Sequence, residues 1–204
     1  KSPEYVYSFN GYKYDWIWMR DRCEKSEIDG ISLEYMFSRI NKEIIHQNRW
    51  IVDKAMTTAL GKTEYSYPEM FGMNNIDLCK YYFELNKSEL KNVKLSTITE
   101  FYLPAKDRKK DLKYETMNEY YYNYNLNPTN VVNLQGIFQI AYYNIFDCIS
   151  LHHLVHKCNI NNDLEAGSRL NSLSIMEVHN KKSTIKVYTK IAQIAARRNA
   201  VTMS

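Results

Sequence analysis

Two aspartates of this chain stand in local patterns suited to chemistry. Asn10 lies five residues before Asp15 in the stretch Phe9-Asn10-Gly11-Tyr12-Lys13-Tyr14-Asp15-Trp16, and Tyr143 lies four residues before Asp147 inside an apolar, periodic run. Two carboxylates brought together by a fold can hold divalent metal ions. An Asn and a Tyr beside them can hold a nucleic-acid end and an attacking water. Residues of these types point to metal-assisted phosphodiester hydrolysis.

The elements that must position them can be read from the pattern. Residues 5–9 are β-branched and aromatic and end in Asn10-Gly11, which reads as a strand running into a turn. Trp16, Ile17, Met19 and Cys23 follow at helical spacing, so a helix runs from Asp15 to about residue 24. Asp15 then sits at a strand-to-helix junction; on local pattern alone it is also an ordinary N-cap. Leu33, Met36, Phe37, Ile40, Ile44 and Ile45 suit one helix face, and residues 61–72, with Pro68, a loop or hairpin. Ile76-Asp77-Leu78 reads as a strand end passing into a helix, and Leu95, Ile98 and Phe101 as a short helix stopping before Pro104. Tyr114, Met117 and the tyrosines from 120 to 122 suit another helix, part packed face and part surface.

The longest periodic run opens at Pro128-Thr129-Asn130 and keeps helical spacing through Val131, Leu134, Phe138, Ala141, Ile145, Ile149 and Leu154. Tyr143 and Asp147 lie one turn apart on one face of it. A carboxylate on a buried face is costly unless paired or metal-bound; the other reading has Asp147 facing solvent. The run fades over 158–162, read as a boundary. Beyond it come a polar Ser/Asn segment, a strand or turn at 185–187, and a basic helix from 188 to 198 ending in Arg197-Arg198.

Composition sets limits. The 204 residues suffice for one good core with an appendage, and with 45% hydrophobic and 25% charged residues the chain is neither disordered nor membrane-spanning. A net charge of +4 permits a polyanionic partner without demanding one. Cys23, Cys79, Cys148 and Cys158 show no C-x-x-C spacing and read as reduced, intracellular thiols. His152, His153, His156 and Cys158 lack the Glu of an H-E-x-x-H site and read as a solvated helix end, with a metal site as the lesser alternative. The charge run 106–111 reads as a solvated loop, or else one that contacts phosphate. Lys1-Ser2-Pro3-Glu4 is no signal peptide and reads as the inside of a longer protein.

Together these residues resemble the 3′–5′ exonuclease region of the family B DNA polymerases. Pro3 to Val6, leading through Phe9-Asn10 to Tyr14-Asp15-Trp16, is similar to the family's second exonuclease motif, and Tyr143 with Asp147 to its third. Between and beyond them, four segments agree in order with the family: Lys94-Leu95-Ser96-Thr97-Ile98 with Phe101-Tyr102-Leu103, the stretch 110–117, Arg169-Leu170-Asn171-Ser172-Leu173, and Ile185-Lys186-Val187-Tyr188-Thr189. The first exonuclease motif, an Asp-x-Glu, and the polymerase palm aspartates have no counterpart here.

The resemblance implies an α/β, ribonuclease-H-like domain incomplete at its N-terminus, a mixed sheet flanked by helices. Residues 1–160 would be the C-terminal part of the exonuclease domain and 161–204 the connection toward the polymerase core. It implies two divalent ions, Mg2+ or Mn2+, with Asp15 and Asp147 as the ligands present in an incomplete site, and catalysis by Asp15, Tyr143 and Asp147. Phe9, Asn10 and Tyr14 (or Tyr12) would hold the substrate. The partners implied are a DNA primer-template with a single-stranded 3′ end, deoxynucleotides in the full polymerase and a processivity factor, with no membrane. The place implied is the nucleus or cytoplasm of a host cell, if the source is viral. An inactive exonuclease-like structural module of a polymerase and a nucleic-acid-binding domain are the alternatives.

Overall fold

A computed structural model describes residues 4–25, 49–58, 61–70, 72–85, 92–108, 112–181 and 183–198. They form a mostly helical α/β arrangement with two small two-stranded sheets. In chain order these are β1 (Tyr5–Ser8), α1 (Asp15–Lys25), β2 (Arg49–Thr58), β3 (Gly61–Glu69), β4 (Asn74–Asp77), α2 (Leu78–Leu85) and α3 (Leu95–Tyr102). A 3-10 turn (Ala105–Asp107) follows, then α4 (Tyr114–Leu126), α5 (Val131–Lys157), α6 (Ile160–Asn171), α7 (Ile175–Asn180) and α8 (Ser183–Arg197). The chain divides into two compact units, Lys1–Leu85 with Asn161–Ser204, and Asn86–Ile160.

In the first unit β1 and β4 pair in parallel, with Tyr5 opposite Asn74 and Ser8 opposite Asp77. A parallel pair needs a long crossover, and here the crossover contains α1 and the antiparallel hairpin β2–β3. That hairpin runs in register from Arg49 opposite Glu69 to Thr58 opposite Gly61, with an irregularity between Asp53 and Met56. Successive strand side chains point to opposite faces, so Tyr5 and Tyr7 share one face, where their rings stack 6.0 Å apart. Their hydroxyls reach α6, Tyr7 to Asn161 and Tyr5 to Glu165. Ile76, Leu78, Tyr12 and Tyr82 lie fully buried, with Trp16 and Tyr67 nearly so. A capping box closes the start of α7: Ser174 accepts from the Glu177 N–H, and the Glu177 carboxylate accepts from the Ser174 N–H.

In the second unit α4 and α5 form a helical hairpin. Asn130 caps α5 by accepting from the Val132 N–H at 2.9 Å, and the Asn133 amide donates to the carbonyls of Asn123 and Asn127. Gly136 admits the Tyr120 ring so closely that a Cβ there would stand 2.9 Å from it. The 27 residues of α5 span roughly 40 Å at 1.5 Å per residue. Ile98 of α3 and Leu154 of α5 are fully buried. The helix ends where Asn159 takes a left-handed φ of 52°.

The strand at 5–9, the helix from Asp15, the strand-to-helix passage at 76–78, the helix before Pro104 and the long helix embedding Asp147 all stand where the pattern placed them. The helix face expected from Leu33 to Ile45 lies outside the described residues, as do Lys109, Lys110 and Asp111 of the charge run. Residues 185–187 are a correction. They belong to α8, not to a strand or turn. The β-branched Ile185 and Val187 favour a strand locally, but no Gly or Pro interrupts 183–197. The helix is also tied to its neighbour, where Lys190 Nζ donates to the Leu170 carbonyl at the end of α6. The polar segment after residue 160 is likewise helical, as α6 and α7, and β2 was not foreseen. Among the described residues β1 has one neighbour, β4, and no single mixed sheet forms. No helix among them is long and apolar enough to cross a membrane.

Candidate functional site

The turn after β1 carries Phe9, Asn10, Tyr14 and Asp15. Asn10 takes a left-handed φ of 64°, a conformation Asn tolerates better than most residues. Its carbonyl then accepts from the N–H groups of Lys13 and Tyr14 at 3.1 and 3.2 Å, and the Gly11 carbonyl accepts from Trp16 at 3.1 Å. The turn thus flows directly into the first turn of α1, whose opening residue is Asp15. Gly11 is required by space: a Cβ there would lie 2.5 Å from both Cβ and Oγ of Ser8.

The side chains of this turn divide between core and solvent. Tyr14 is 57% exposed, with the Lys13 ammonium 5.3 Å from its ring centroid. Phe9 and Asn10 are partly buried. Tyr12 is fully buried, stacked on Tyr67 at 4.1 Å, with its hydroxyl donating to the Asn75 carbonyl. Tyr12 is therefore no platform for a base, which corrects one of the two sequence readings. Its phenol is held well above its ordinary value, first by burial and then by the charge of Asp77. The Asp15 carboxyl is raised above the usual carboxylate range by partial burial, although the residue as a whole is exposed.

Beneath the turn lies a residue that the sequence reading passed over. Asp77, the last residue of β4, is fully buried. Its Oδ1 accepts from the N–H groups of Asn10 and Cys79, both at 2.9 Å, and its Oδ2 accepts from the Tyr12 N–H at 3.0 Å. Burial raises its pKa, and these backbone donors oppose the rise. The Asp77 N–H donates to Nε2 of His179 at 3.1 Å, so His179 is an acceptor there and stays neutral; burial pushes its pKa down to about 3. Lys80, also buried, donates to the carbonyl and side-chain oxygen of Asn180 and lies 5.3 Å from the Tyr65 ring. The signal for Asp77 was available: an acid between two apolar residues where a strand meets a helix. His179 and Lys80 carried none.

Tyr143 and Asp147 stand in α5, in the second unit, both partly buried and one turn apart. Asp15 and Asn10 stand in the first unit. At the end of α5, His152 and His156 meet edge to face at 4.4 Å, and His153 faces Asp107 at 3.7 Å. In the charge run, Arg108 Nε donates to the Leu103 carbonyl at 3.0 Å.

No family model matches this chain, and no curated protein is similar to it at a significant level.

As hard oxygen donors, Asp15 and Asp147 suit Mg2+ or Mn2+ in kind. Among the described residues no three His, Cys, Asp or Glu side chains converge into a metal cage. Asp15 belongs to the first unit and Asp147 to the second.

Proposed function

We propose that this chain is the 3′–5′ exonuclease region of a family B DNA-directed DNA polymerase, acting on the single-stranded 3′ end of a primer. The observation that carries the reading is the parallel pair β1–β4, with the turn bearing Asn10 and Asp15 at its carboxyl ends. In α/β sheets, sites gather at that edge. β1 and β4 would be neighbouring strands of a larger, ribonuclease-H-like mixed sheet. The spacing of Tyr143 and Asp147 on one face of α5 supports the same reading.

The reaction is hydrolysis of the terminal phosphodiester. Water adds to phosphorus, the 3′-oxygen of the penultimate nucleotide leaves, and a nucleoside monophosphate is released. Asp15 and Asp147 would hold divalent ions, which supply Lewis acidity at the scissile phosphate. Tyr143, one turn from Asp147, would orient the attacking water through its hydroxyl. Asn10 would hydrogen-bond the terminal nucleotide. Tyr14, exposed on the same turn, would stack on an unpaired base together with Phe9, a contact that contributes roughly 1–3 kcal/mol per base. A frayed, mismatched end reaches such a site more easily than a paired one.

The test is Asp147→Ala in the full-length polypeptide that contains this chain. Excision of a mismatched 3′-terminal nucleotide should be lost while incorporation on a matched primer is kept. Excision that persists in this variant refutes the assignment, and a parent polypeptide with no incorporation refutes the polymerase reading.

A further inference from the structure

We propose that Asp77 is the positioning residue of the turn from Asn10 to Asp15, setting the place of both side chains from beneath. The inference rests on the reading above for what that turn holds. An aspartate just before a helix is ordinarily an N-cap, and its work ends with the N–H groups of the first turn. Asp77 does that work through Cys79, but the same carboxylate also crosses 67 residues of sequence to Asn10 and 65 to Tyr12. A cap alone has no need of full burial, which penalises an ionised carboxylate. Nor does it need a second oxygen turned to another segment.

These two bonds hold the turn from beneath. Asn10, pinned through its N–H, offers its carbonyl to Lys13 and Tyr14; Gly11 offers its own to Trp16, and Asp15 lies between. On the far side, His179 fixes the Asp77 backbone. The Ser66 N–H donates to the Tyr12 carbonyl at 2.8 Å, holding the turn against β3. Asp77 touches no solvent, so any effect it has on a bound substrate passes through the turn.

Three variants of the chain separate this role from capping. In Asp77→Asn one acceptor oxygen remains; placed at the Oδ1 position, it keeps Asn10 and Cys79 and leaves the Tyr12 N–H facing an amide group. Asp77→Ser keeps a hydroxyl to cap α2 but offers no second oxygen to the turn, and Asp77→Ala removes both. Native-state hydrogen exchange should show the Tyr12 amide exchanging at least about tenfold faster in D77N, the factor for one lost bond to a charged acceptor. Amides of α5 should keep their rates.

In parallel, fluorescence anisotropy measures binding of a labelled oligothymidylate with a free 3′ end and of one blocked at that end. All three variants should lose preference for the free end. Unchanged exchange of both the Tyr12 and the Asn10 amides in D77N overturns the proposal. So does D77S behaving as wild type, because capping would then be the whole role, and so does faster exchange with end preference intact. If the wild-type chain itself shows no preference for a free 3′ end, the exonuclease reading falls, and the exchange rates still decide whether Asp77 sets the turn.

Discussion

Replacing Gly11 by alanine sets two effects of opposite sign against each other. Alanine restricts the unfolded chain more than glycine, which stabilises a compatible site by about 0.4–1 kcal/mol. Against this, the new methyl would stand 2.5 Å from Cβ and Oγ of Ser8, whereas non-bonded carbons settle at roughly 3.5–4.0 Å. An overlap of that size cannot be relieved by swinging a side-chain tip, because one of the atoms met is Cβ. The backbone must move, and over-packing of this kind costs about 1–3 kcal/mol. The clash wins, and Gly11→Ala should lose about 1–2 kcal/mol.

The readout is direct, because all three tryptophans, Trp16, Trp18 and Trp50, lie in the first unit. Their emission during urea unfolding follows that unit, and with a urea slope of about 2 kcal/mol/M the midpoint should fall by roughly 0.5–1 M. Ser8→Gly in the same background removes the atoms struck, so the double-mutant cycle should show a coupling of about 0.5–3 kcal/mol. A midpoint unchanged by Gly11→Ala, or a cycle without coupling, refutes the packing described for this turn.

Two further outcomes follow from the buried groups. His179 has its pKa depressed to about 3 in the folded chain, against 6.5 as its ordinary value. The unfolded chain therefore takes up a proton that the folded one refuses, and stability falls as pH drops from about 6.5 toward 3, by roughly 1.4 kcal/mol per pH unit. His179→Gln, which keeps an acceptor for the Asp77 N–H, should flatten that slope; urea midpoints measured across the range that keep the same slope in both proteins would refute it. The Cys79 thiol is pushed up to about 12 by burial, whereas Cys148 is exposed. Iodoacetamide followed by peptide mass spectrometry should find Cys148 alkylated in the native chain and Cys79 only after unfolding; equal rates would contradict the burial.

What could be read from the residues was what local periodicity decides. The strand from Tyr5, the helix opening at Asp15 and the long helix from Val131 each have a run of apolar positions at one period and a turn or capping residue at the end. Where a three-residue preference and the longer run around it disagree, the longer run prevailed. Ile185-Lys186-Val187 has the β-branched character of a strand, yet it lies in a helix whose next turn docks through Lys190 on the end of α6. The turn from Phe9 to Asp15 was legible as a candidate site, because Asn-Gly after a strand is a local signal. Its support was not. Asp77 stands out locally as an acid where a strand meets a helix, but what it holds does not. It and His179 act through partners 65 or more residues away, and no spacing rule reaches that far. The choice between Tyr12 and Tyr14 stayed open for the same reason, since only the fold shows that Tyr12 is buried in the core and Tyr14 is exposed.

The closure of the first unit has a consequence for how the chain is made. Asn75, Asp77 and Lys80 find partners in Met176, His179 and Asn180, each about a hundred positions later. All of the second unit is translated in between. At roughly 5–20 residues per second, synthesis leaves the strand pair waiting for some 5–20 s before its partners emerge. The helical unit, with contacts local to its own stretch, can be complete by then. The strand pair, made before the helical unit, is thus completed after it, and until then its tyrosines and the Asp77 carboxylate remain accessible to water and to chaperones.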